Sequence, residues 1–380
     1  MRVLFSTTGH SGHLLPLVPL ARACAGAGHD VVVVTHAPRA ANVERLGLPV
    51  HAVAVAPDDA WAPLMAQVPR LGQSEGDALI ISEGFARIGA GGALPGVLAA
   101  VDALRPDVVV HEGYEFAAPI AAERHGRPLA RMALGLASTE AWVAGLAAPA
   151  VADLRRDAAL ATDATAAPLL SLLSPSFDDG PAAQRFRPAA PATDPAPADS
   201  GPPLVYVTLG SVTGSLPFYP DLYRRLLDAL AGLPVRVLLT IGRDADLGLL
   251  GPAPANARVE PWVDQDEVLS RAAVVVSHGG HGTTLGALAH GVPQALLPLF
   301  AGDQWRTAAR VAALGAGIVL EDGERYVFEA PGAAVLAALP AAVMRLIEEP
   351  AFAAAAGTLR ADHAALPGPE DAVAMLERLA

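Results

Sequence analysis

Residues 277–284, SHGGHGTT, combine two histidines, three glycines and two threonines between an apolar run and a helix pattern. His278 and His281 could bind a metal ion, but zinc needs a third protein ligand, and no nearby Glu or Cys is an obvious one. The N–H groups at a helix start are unpaired and attract anions. Glycines let a phosphate approach these groups, and threonine hydroxyls add donors. The segment therefore favours phosphate binding, with a metal site or a purely structural turn as alternatives.

A second polar group, GHSGHLLPL at 9–17, follows the first apolar run. It resembles the G-x-S-x-G elbow of serine hydrolases, but His13 replaces the last glycine and the elbow normally follows a later, central strand. Histidine has a pKa near neutrality, which suits a general base acting on a hydroxyl group. The segment therefore favours proton transfer over a serine nucleophile.

Apolar runs typical of buried strands precede both groups, and helix patterns follow them. Such alternation predicts parallel sheets covered on both faces. The Pro-, Ala- and Asp-rich stretch 174–203 interrupts the alternation, as an interdomain linker would. Two doubly wound halves should leave a cleft at the carboxyl ends of their strands, where such folds bind ligands. Residues 60–100 read as irregular, and either line a pocket or fill the core. The predicted strands are 2–7, 30–35, 107–111, 128–132, 204–209, 235–241, 272–277 and 294–300.

Composition excludes several classes of protein. The net charge of −13 argues against a nucleic-acid binder. Cys24 is the only cysteine, which excludes disulfides and thiolate metal clusters. All 26 Lys-plus-Arg residues are arginine, so Walker-type phosphate binding and lysine Schiff bases are also excluded. No signal-peptide layout and no apolar run of about 20 residues is evident, which predicts a cytoplasmic protein.

Three motifs together carry a family resemblance: WVDQ at 262–265, HGGHGT at 278–283 and DQ at 303–304. With these, the chain resembles glycosyltransferase family 1, the nucleotide-sugar-dependent enzymes of the GT-B fold, and especially bacterial members that modify natural products. The resemblance implies an α/β fold of two Rossmann-like domains facing across a cleft. The implied boundaries are an acceptor domain at 1–190, a linker at 191–202, a donor domain at 203–362 and a helix at 363–380 that packs back on the first domain.

The resemblance also implies a donor site. Trp262 would stack on the base, the backbone of Val263 would read the base edge, and Gln265 would reach the ribose. The diphosphate would lie in the phosphate-binding segment, and Asp303 and Gln304 would bind the donor sugar. Thr307 stands where the family commonly has Asn, and His281 stands where it has a small residue. His281 is expected to point to solvent, with a phosphate contact as the alternative. The remaining implied donor-site residues are Ser211, His278, Gly280, Gly282 and Thr283.

His13, in the H-x-x-P element that ends at Pro16, matches the family's catalytic histidine, with His10 as the second choice. Glu112 matches the aspartate that orients this histidine, although glutamate is longer by one methylene group.

The resemblance therefore implies an inverting hexosyltransferase that moves a sugar from a UDP- or dTDP-sugar to a hydrophobic natural product, without a metal or other cofactor. The chain would act as a monomer or homodimer and would not bind nucleic acid or span a membrane. A non-hydrolysing nucleotide-sugar epimerase and a non-catalytic nucleotide-sugar binder are the alternatives.

Overall fold

The computed structural model describes residues 1–161, 166–188 and 201–380. The chain divides into two compact units. The N-terminal unit comprises Met1–Val68, Ser74–Ala190 and Leu366–Ala380, and the C-terminal unit comprises Pro69–Gln73 and Pro191–Ala365. Most of the predicted linker 191–202 lies outside the described residues.

Within the described residues, the N-terminal unit contains a seven-stranded sheet with the order β3-β2-β1-β4-β5-β6-β7. Every pairing in this sheet is parallel. Valine-rich runs form its central strands, as expected for strands that are buried on both faces. The strands are β1 (Arg2–Thr7), β2 (Asp30–His36), β3 (Val50–Val53), β4 (Val108–Glu112), β5 (Leu129–Met132), β6 (Leu169–Ser171) and β7 (Gln184–Arg185).

Helices cover this sheet, and the last helix of the chain packs against α2 and β7 of the same unit. The α-helices are α1 (Ser11–Leu14), α2 (Val18–Gly26), α3 (Ala40–Glu44), α4 (Asp58–Gln67), α5 (Gln73–Leu79), α6 (Gly91–Leu104), α7 (Ala117–Arg124), α8 (Ala137–Asp157) and α15 (Pro369–Leu379). A π-helix (Ile80–Ala90) joins α5 to α6, and 3₁₀ turns lie at Leu15–Leu17, Ala37–Arg39 and Val68–Arg70.

The expectation that residues 60–100 are irregular is wrong, because α4, α5, the π-helix and most of α6 fill this region. The continuous helical run Gln73–Leu104, whose most apolar window has a mean hydropathy of 1.3, passes a test of length and composition for crossing a membrane. Half of its most apolar window is buried inside the protein, and α6 packs on α7, β2 and β3. Core helices pass the same test of length and composition, so the run is weak evidence for a membrane span.

The described part of the C-terminal unit repeats the architecture with a six-stranded parallel sheet of order β10-β9-β8-β11-β12-β13. Its main core includes Val207, Leu226, Leu239, Val276 and Leu339. The strands are β8 (Leu204–Thr208), β9 (Arg236–Thr240), β10 (Ala257–Glu260), β11 (Ala272–Ser277), β12 (Gln294–Leu296) and β13 (Gly317–Val319). The helices are α9 (Asp221–Leu230), α10 (Gln265–Leu269), α11 (His281–His290), α12 (Gly302–Ala313), α13 (Ala333–Glu348) and α14 (Pro350–Ala364), with 3₁₀ turns at Thr213–Ser215 and Leu247–Leu250.

In each sheet the strand order reverses beside the first strand of the unit. In the N-terminal unit β1 lies between β2 and β4, and in the C-terminal unit β8 lies between β9 and β11. Ligands of doubly wound folds bind where the loops at such a reversal diverge. Both polar segments singled out in the sequence follow a strand at this position.

Candidate active site

His13 and Glu112 lie together in the N-terminal unit. The turn after β1 leads into α1, which carries His13, and Glu112 is the last residue of the neighbouring strand β4. His13 Nδ1 lies 3.2 Å from Glu112 Oε1. A carboxylate only accepts hydrogen bonds, so Nδ1 carries the proton and the lone pair of the imidazole lies on Nε2. Glutamate therefore reaches the histidine despite its extra methylene group, and the pair can act as a base with a fixed tautomer.

Glu112 is completely buried, yet it stays ionised. Burial alone would raise the pKa of this carboxyl group. The charge and hydrogen bond of His13 and the N–H groups of Tyr114 and Thr8 outweigh burial, so the pKa of Glu112 is lowered. Tyr114 N–H donates to Oε2 at 2.7 Å and Thr8 N–H donates to Oε1 at 3.1 Å. The local backbone thus holds the negative charge in place beside His13.

Aromatic rings surround His13. Its ring stacks on Phe85 at 5.6 Å with an interplanar angle of 27°, and meets Tyr114 edge-on at 5.1 Å. A cavity of about 50 Å³ lies next to these rings, and Trp61, Phe116 and Glu115 also line it. Phe85 lies in the stretch 60–100, which was expected either to line a pocket or to fill the core, whereas Tyr114 was not predicted as a site residue.

His10, the second choice as base, has a structural role at this turn. Its carbonyl oxygen accepts hydrogen bonds from the N–H groups of His13 and Leu14 and so starts α1. Burial, aided by the charge of Arg39, lowers the pKa of His10 to about 4. The geometry therefore favours His13, the histidine bonded to a carboxylate, as the base.

In the C-terminal unit, β11 ends at Ser277 and α11 begins at His281, with Gly280 as its N-cap residue. Ser277 Oγ accepts a hydrogen bond from Gly279 N–H at 3.2 Å and tightens the turn. Gly279 has φ +82°, and a Cβ there would lie 2.9 Å from the carbonyl oxygen of Gln304. Only glycine fits this position, and the first N–H groups of α11, which have no partner within the helix, can bind an anion.

Three polar side-chain atoms of this turn are buried and have no hydrogen-bond partner among the described residues: His278 Nδ1, His281 Nε2 and Thr284 Oγ1. The expectation that His281 points to solvent is therefore wrong. Burial lowers the pKa of His278 and of His281 to about 4, so both rings are neutral. Buried polar atoms without partners are rare in proteins, and such atoms beside a helix N-terminus suit a phosphate ligand. We call the segment 277–284 the phosphate cradle.

The other predicted donor-site residues surround the cradle. Gln265 Nε2 donates to Thr283 Oγ1 at 3.2 Å, which links the predicted ribose and phosphate contacts. Trp262 is 55% exposed on the loop after β10, and the guanidinium of Arg243 lies 4.1 Å from its ring centroid. Val263 packs against the core beneath this loop. Ser211, exposed, follows Gly210 in the loop after β8, and Gly210 abuts the ring of His278.

Asp303 and Gln304 open α12 beside the cradle, but they are placed differently. Gln304 is buried, and its Oε1 accepts hydrogen bonds from the N–H groups of Leu299 and Phe300 at 2.8 and 3.3 Å. This oxygen already holds the preceding loop, so a sugar contact from Gln304 would use its amide nitrogen. Asp303 is half-buried in the first turn, and Thr307 is buried one turn further on.

Neither a reactive cysteine nor a cluster of metal ligands is found among the described residues. Cys24 is buried, and burial raises the pKa of its thiol to about 12, so this residue is a core residue. Across residues 1–161, 166–188 and 201–380, no three His, Cys, Asp or Glu side chains are grouped so that they could hold a metal ion.

Comparison with known proteins identifies relatives. Residues 224–379 match the model of the erythromycin biosynthesis protein CIII-like C-terminal domain. The chain is 34% identical over 333 residues to L-demethylnoviosyl transferase of Streptomyces niveus, covering 84% of this chain and 85% of that one. It superposes on the glycosyltransferase SnogD of Streptomyces nogalater with a TM-score of 0.76 and 28% identity, covering 100% and 99% of the two chains. It also superposes on the Streptomyces sp. SF2575 glycosyltransferase SsfS6, solved with thymidine diphosphate, with a TM-score of 0.75 and 26% identity over 100% and 99% of the chains.

The two doubly wound domains and the superpositions on glycosyltransferases show the GT-B fold that the sequence predicted. The chain belongs to the family of nucleotide-sugar-dependent glycosyltransferases of antibiotic biosynthesis. Its relatives are named as sugar transferases, which supports this activity over the epimerase and the non-catalytic binder.

Proposed function

We propose that this enzyme transfers a sugar from a thymidine diphosphate sugar to a hydroxyl group of a hydrophobic natural product, with inversion at the anomeric carbon. The observation that carries the proposal is the 3.2 Å contact between His13 Nδ1 and Glu112, which leaves Nε2 as a base. His13 Nε2 takes the acceptor proton while the hydroxyl oxygen attacks the anomeric carbon and the bond to the diphosphate breaks. Glu112 stabilises the imidazolium that forms.

The leaving diphosphate would be received by the cradle. The helix start supplies N–H donors and a partial positive charge, and neutral His278 supplies one further donor at Nδ1 or Nε2, depending on the tautomer. These groups stabilise the developing negative charge without a divalent ion. The complex of the related SsfS6 with thymidine diphosphate supports the same nucleotide for this chain.

Residues next to the phosphate cradle would recognise the nucleotide base and the donor sugar. The exposed Trp262 ring would offer a stacking platform for the base, and the guanidinium of Arg243 lies over this ring at 4.1 Å from its centroid. Asp303 would accept hydrogen bonds from the sugar hydroxyl groups, because an ionised carboxylate is an acceptor only. Acceptors would enter near Trp61 and Phe116, whose rings favour an apolar aglycone. We further propose a cytoplasmic enzyme, monomeric or homodimeric, that does not bind nucleic acid.

The proposal is tested with a panel of thymidine and uridine diphosphate sugars and phenolic or alcoholic acceptors, with products read by mass spectrometry. We expect acceptor-dependent transfer, better with thymidine than with uridine nucleotides and unchanged by EDTA. Donor turnover without an acceptor would contradict transfer. Loss of activity with EDTA that zinc or manganese restores would instead support a metal site at His278 and His281.

A further inference from the structure

The π-helix Ile80–Ala90 brings Phe85 to His13. Helices of this type are rare and are often found at functional sites. Gly84 precedes Phe85, and a Cβ at Gly84 would lie 3.1 Å from Trp61 Cζ3, while one at Gly89 would lie 3.2 Å from the carbonyl oxygen of Gly84. The wide helix therefore depends on small residues where it packs on Trp61. Its packing sets the position of the half-buried Phe85 ring.

Phe85, Tyr114 and His13 form a closed group of three rings. Phe85 contacts Tyr114 at 5.1 Å in an edge-on arrangement, and His13 contacts both rings. The planes of the Phe85 and His13 rings differ by 27°, and their centroids are 5.6 Å apart, so the imidazole lies within the range over which an aromatic ring attracts a cation. An aromatic face attracts a cation placed over it within about 6 Å. The same face gives a neutral imidazole no such attraction.

We propose that Phe85 is a positioning residue for the transfer reaction, and that its ring stabilises the protonated form of His13 and fixes the plane of the imidazole. The inference rests on the proposed role of His13 as the base. The imidazole is neutral before transfer and positively charged as it takes the acceptor proton. An interaction that strengthens with this charge lowers the barrier rather than only binding the substrate. Glu112 supplies a charge partner at one edge of the imidazole, and Phe85 supplies a polarisable surface at one face.

Other titratable and charged groups also act on His13. Glu112 lies on β4, Glu140 on α8, His10 before α1 and His36 at the end of β2. Arg39, in the turn after β2, acts on His10 and His36. The pKa values of His10 and His36 are lowered, chiefly by burial, so both are neutral near pH 7. Glu140 differs, because burial raises the pKa of its carboxyl group to about 7. Its charge changes in the range where the activity would be measured, so the test must hold Glu140 neutral.

The kinetic test compares Phe85→Leu with Phe85→Tyr, both in a Glu140→Gln background. Loss of the aromatic face should lower kcat about 2- to 30-fold, the range expected for a cation–aromatic contact. The acidic limb of kcat/KM should move to lower pH, roughly by 0.5 to 1.5 units, because the protonated base is less stable without the ring. Phe85→Tyr keeps the ring and should restore both properties. A rise in KM alone, with kcat and the acidic limb unchanged, would overturn the inference.

A second measurement tests the contact between Phe85 and His13 without following the reaction. The titration of His13 is followed by NMR of histidine-labelled protein, with its signal identified by its absence in His13→Gln. The midpoint should fall in Phe85→Leu and return in Phe85→Tyr. Phe352→Leu is the matched control, because Phe352 is a partly buried phenylalanine of α14 that contacts Arg345, and its loss should leave the midpoint unchanged. An unchanged midpoint in Phe85→Leu overturns the inference. Failure of His13→Ala to slow transfer overturns the proposed base instead, so the two failures are distinguishable.

Discussion

The strand order reverses in the same way in both sheets, but different polar groups lie at the two reversals. At the N-terminal reversal a buried carboxylate already has three hydrogen-bond donors, from Thr8, Tyr114 and His13. At the C-terminal reversal, backbone N–H groups and neutral imidazoles surround a turn whose buried polar atoms lack partners within the described chain. In the proposed function, the first region needs no ligand to hold its charge, whereas the second would receive a negative charge from the diphosphate. In the proposed function, side chains would transfer the proton in the N-terminal unit, and backbone N–H groups would bind the diphosphate in the C-terminal unit.

The largest effect is expected from His13→Ala. General-base catalysis contributes about 10² to 10⁴ in rate, so kcat for an alcohol acceptor should fall by this factor. The loss should be smaller for a thiol of similar shape, because a thiol is partly ionised and needs less help from a base. Turnover of both acceptors is measured with saturating donor. Near wild-type turnover of the alcohol would mean that a residue other than His13 is the base.

A smaller effect, confined to binding, is expected from Trp262→Ala. Base stacking on an aromatic side chain contributes about 1–3 kcal/mol, which corresponds to roughly 5- to 150-fold in the Kd for thymidine diphosphate. Calorimetric titration measures this Kd, and kcat at saturating donor should stay near the wild-type value. Trp262→Phe retains an aromatic face and should recover most of the affinity. An unchanged Kd in Trp262→Ala would show that the base binds elsewhere.

The last effect, of similar free energy, concerns stability. Gly279→Ala forces a side chain into a left-handed conformation, 2.9 Å from the carbonyl oxygen of Gln304, and should cost about 1–3 kcal/mol of the free energy of unfolding. Thymidine diphosphate should also protect this variant less against heat. Gly357→Ala in α14 is the control, because its Cβ would contact nothing within 4 Å and should be neutral or stabilising. Thermal unfolding measures the stability of both variants. Equal stability would contradict the claim that the phosphate cradle requires the left-handed backbone of Gly279.

The sequence predicted the features that depend on local pattern. Runs such as RVLFST and AAVVVS are buried strands whatever surrounds them, and β1 and β11 have the predicted bounds. The glycine-rich turn before α11 was likewise recognisable, because a helix start and its glycines are neighbours in the chain. Short strands such as β3 and β13 were missed, since three or four residues show little periodicity.

Contacts that are not encoded in a motif were not predictable, whereas the pairing of His13 with Glu112 followed from the family resemblance. Phe85 contacts His13 across 72 positions of sequence, through a π-helix whose glycine-rich pattern reads as irregular. Gln304 was assigned to the donor sugar, but its side-chain oxygen holds Leu299 and Phe300, a contact set by the turn before α12. The buried Nε2 of His281 likewise depends on packing around the helix start and not on the motif.

We expect His13 and the nucleotide-binding residues of the C-terminal unit to act independently, and a double-mutant cycle tests this most directly. Thymidine diphosphate affinity and single-turnover transfer are measured for wild type, His13→Ala, Trp262→Ala and the double variant. We expect His13→Ala to leave the Kd unchanged and the losses in transfer to add within about 0.5 kcal/mol, as for independent sites. If His13→Ala weakens nucleotide binding as much as Trp262→Ala does, His13 contributes to nucleotide binding and the two sites are not independent.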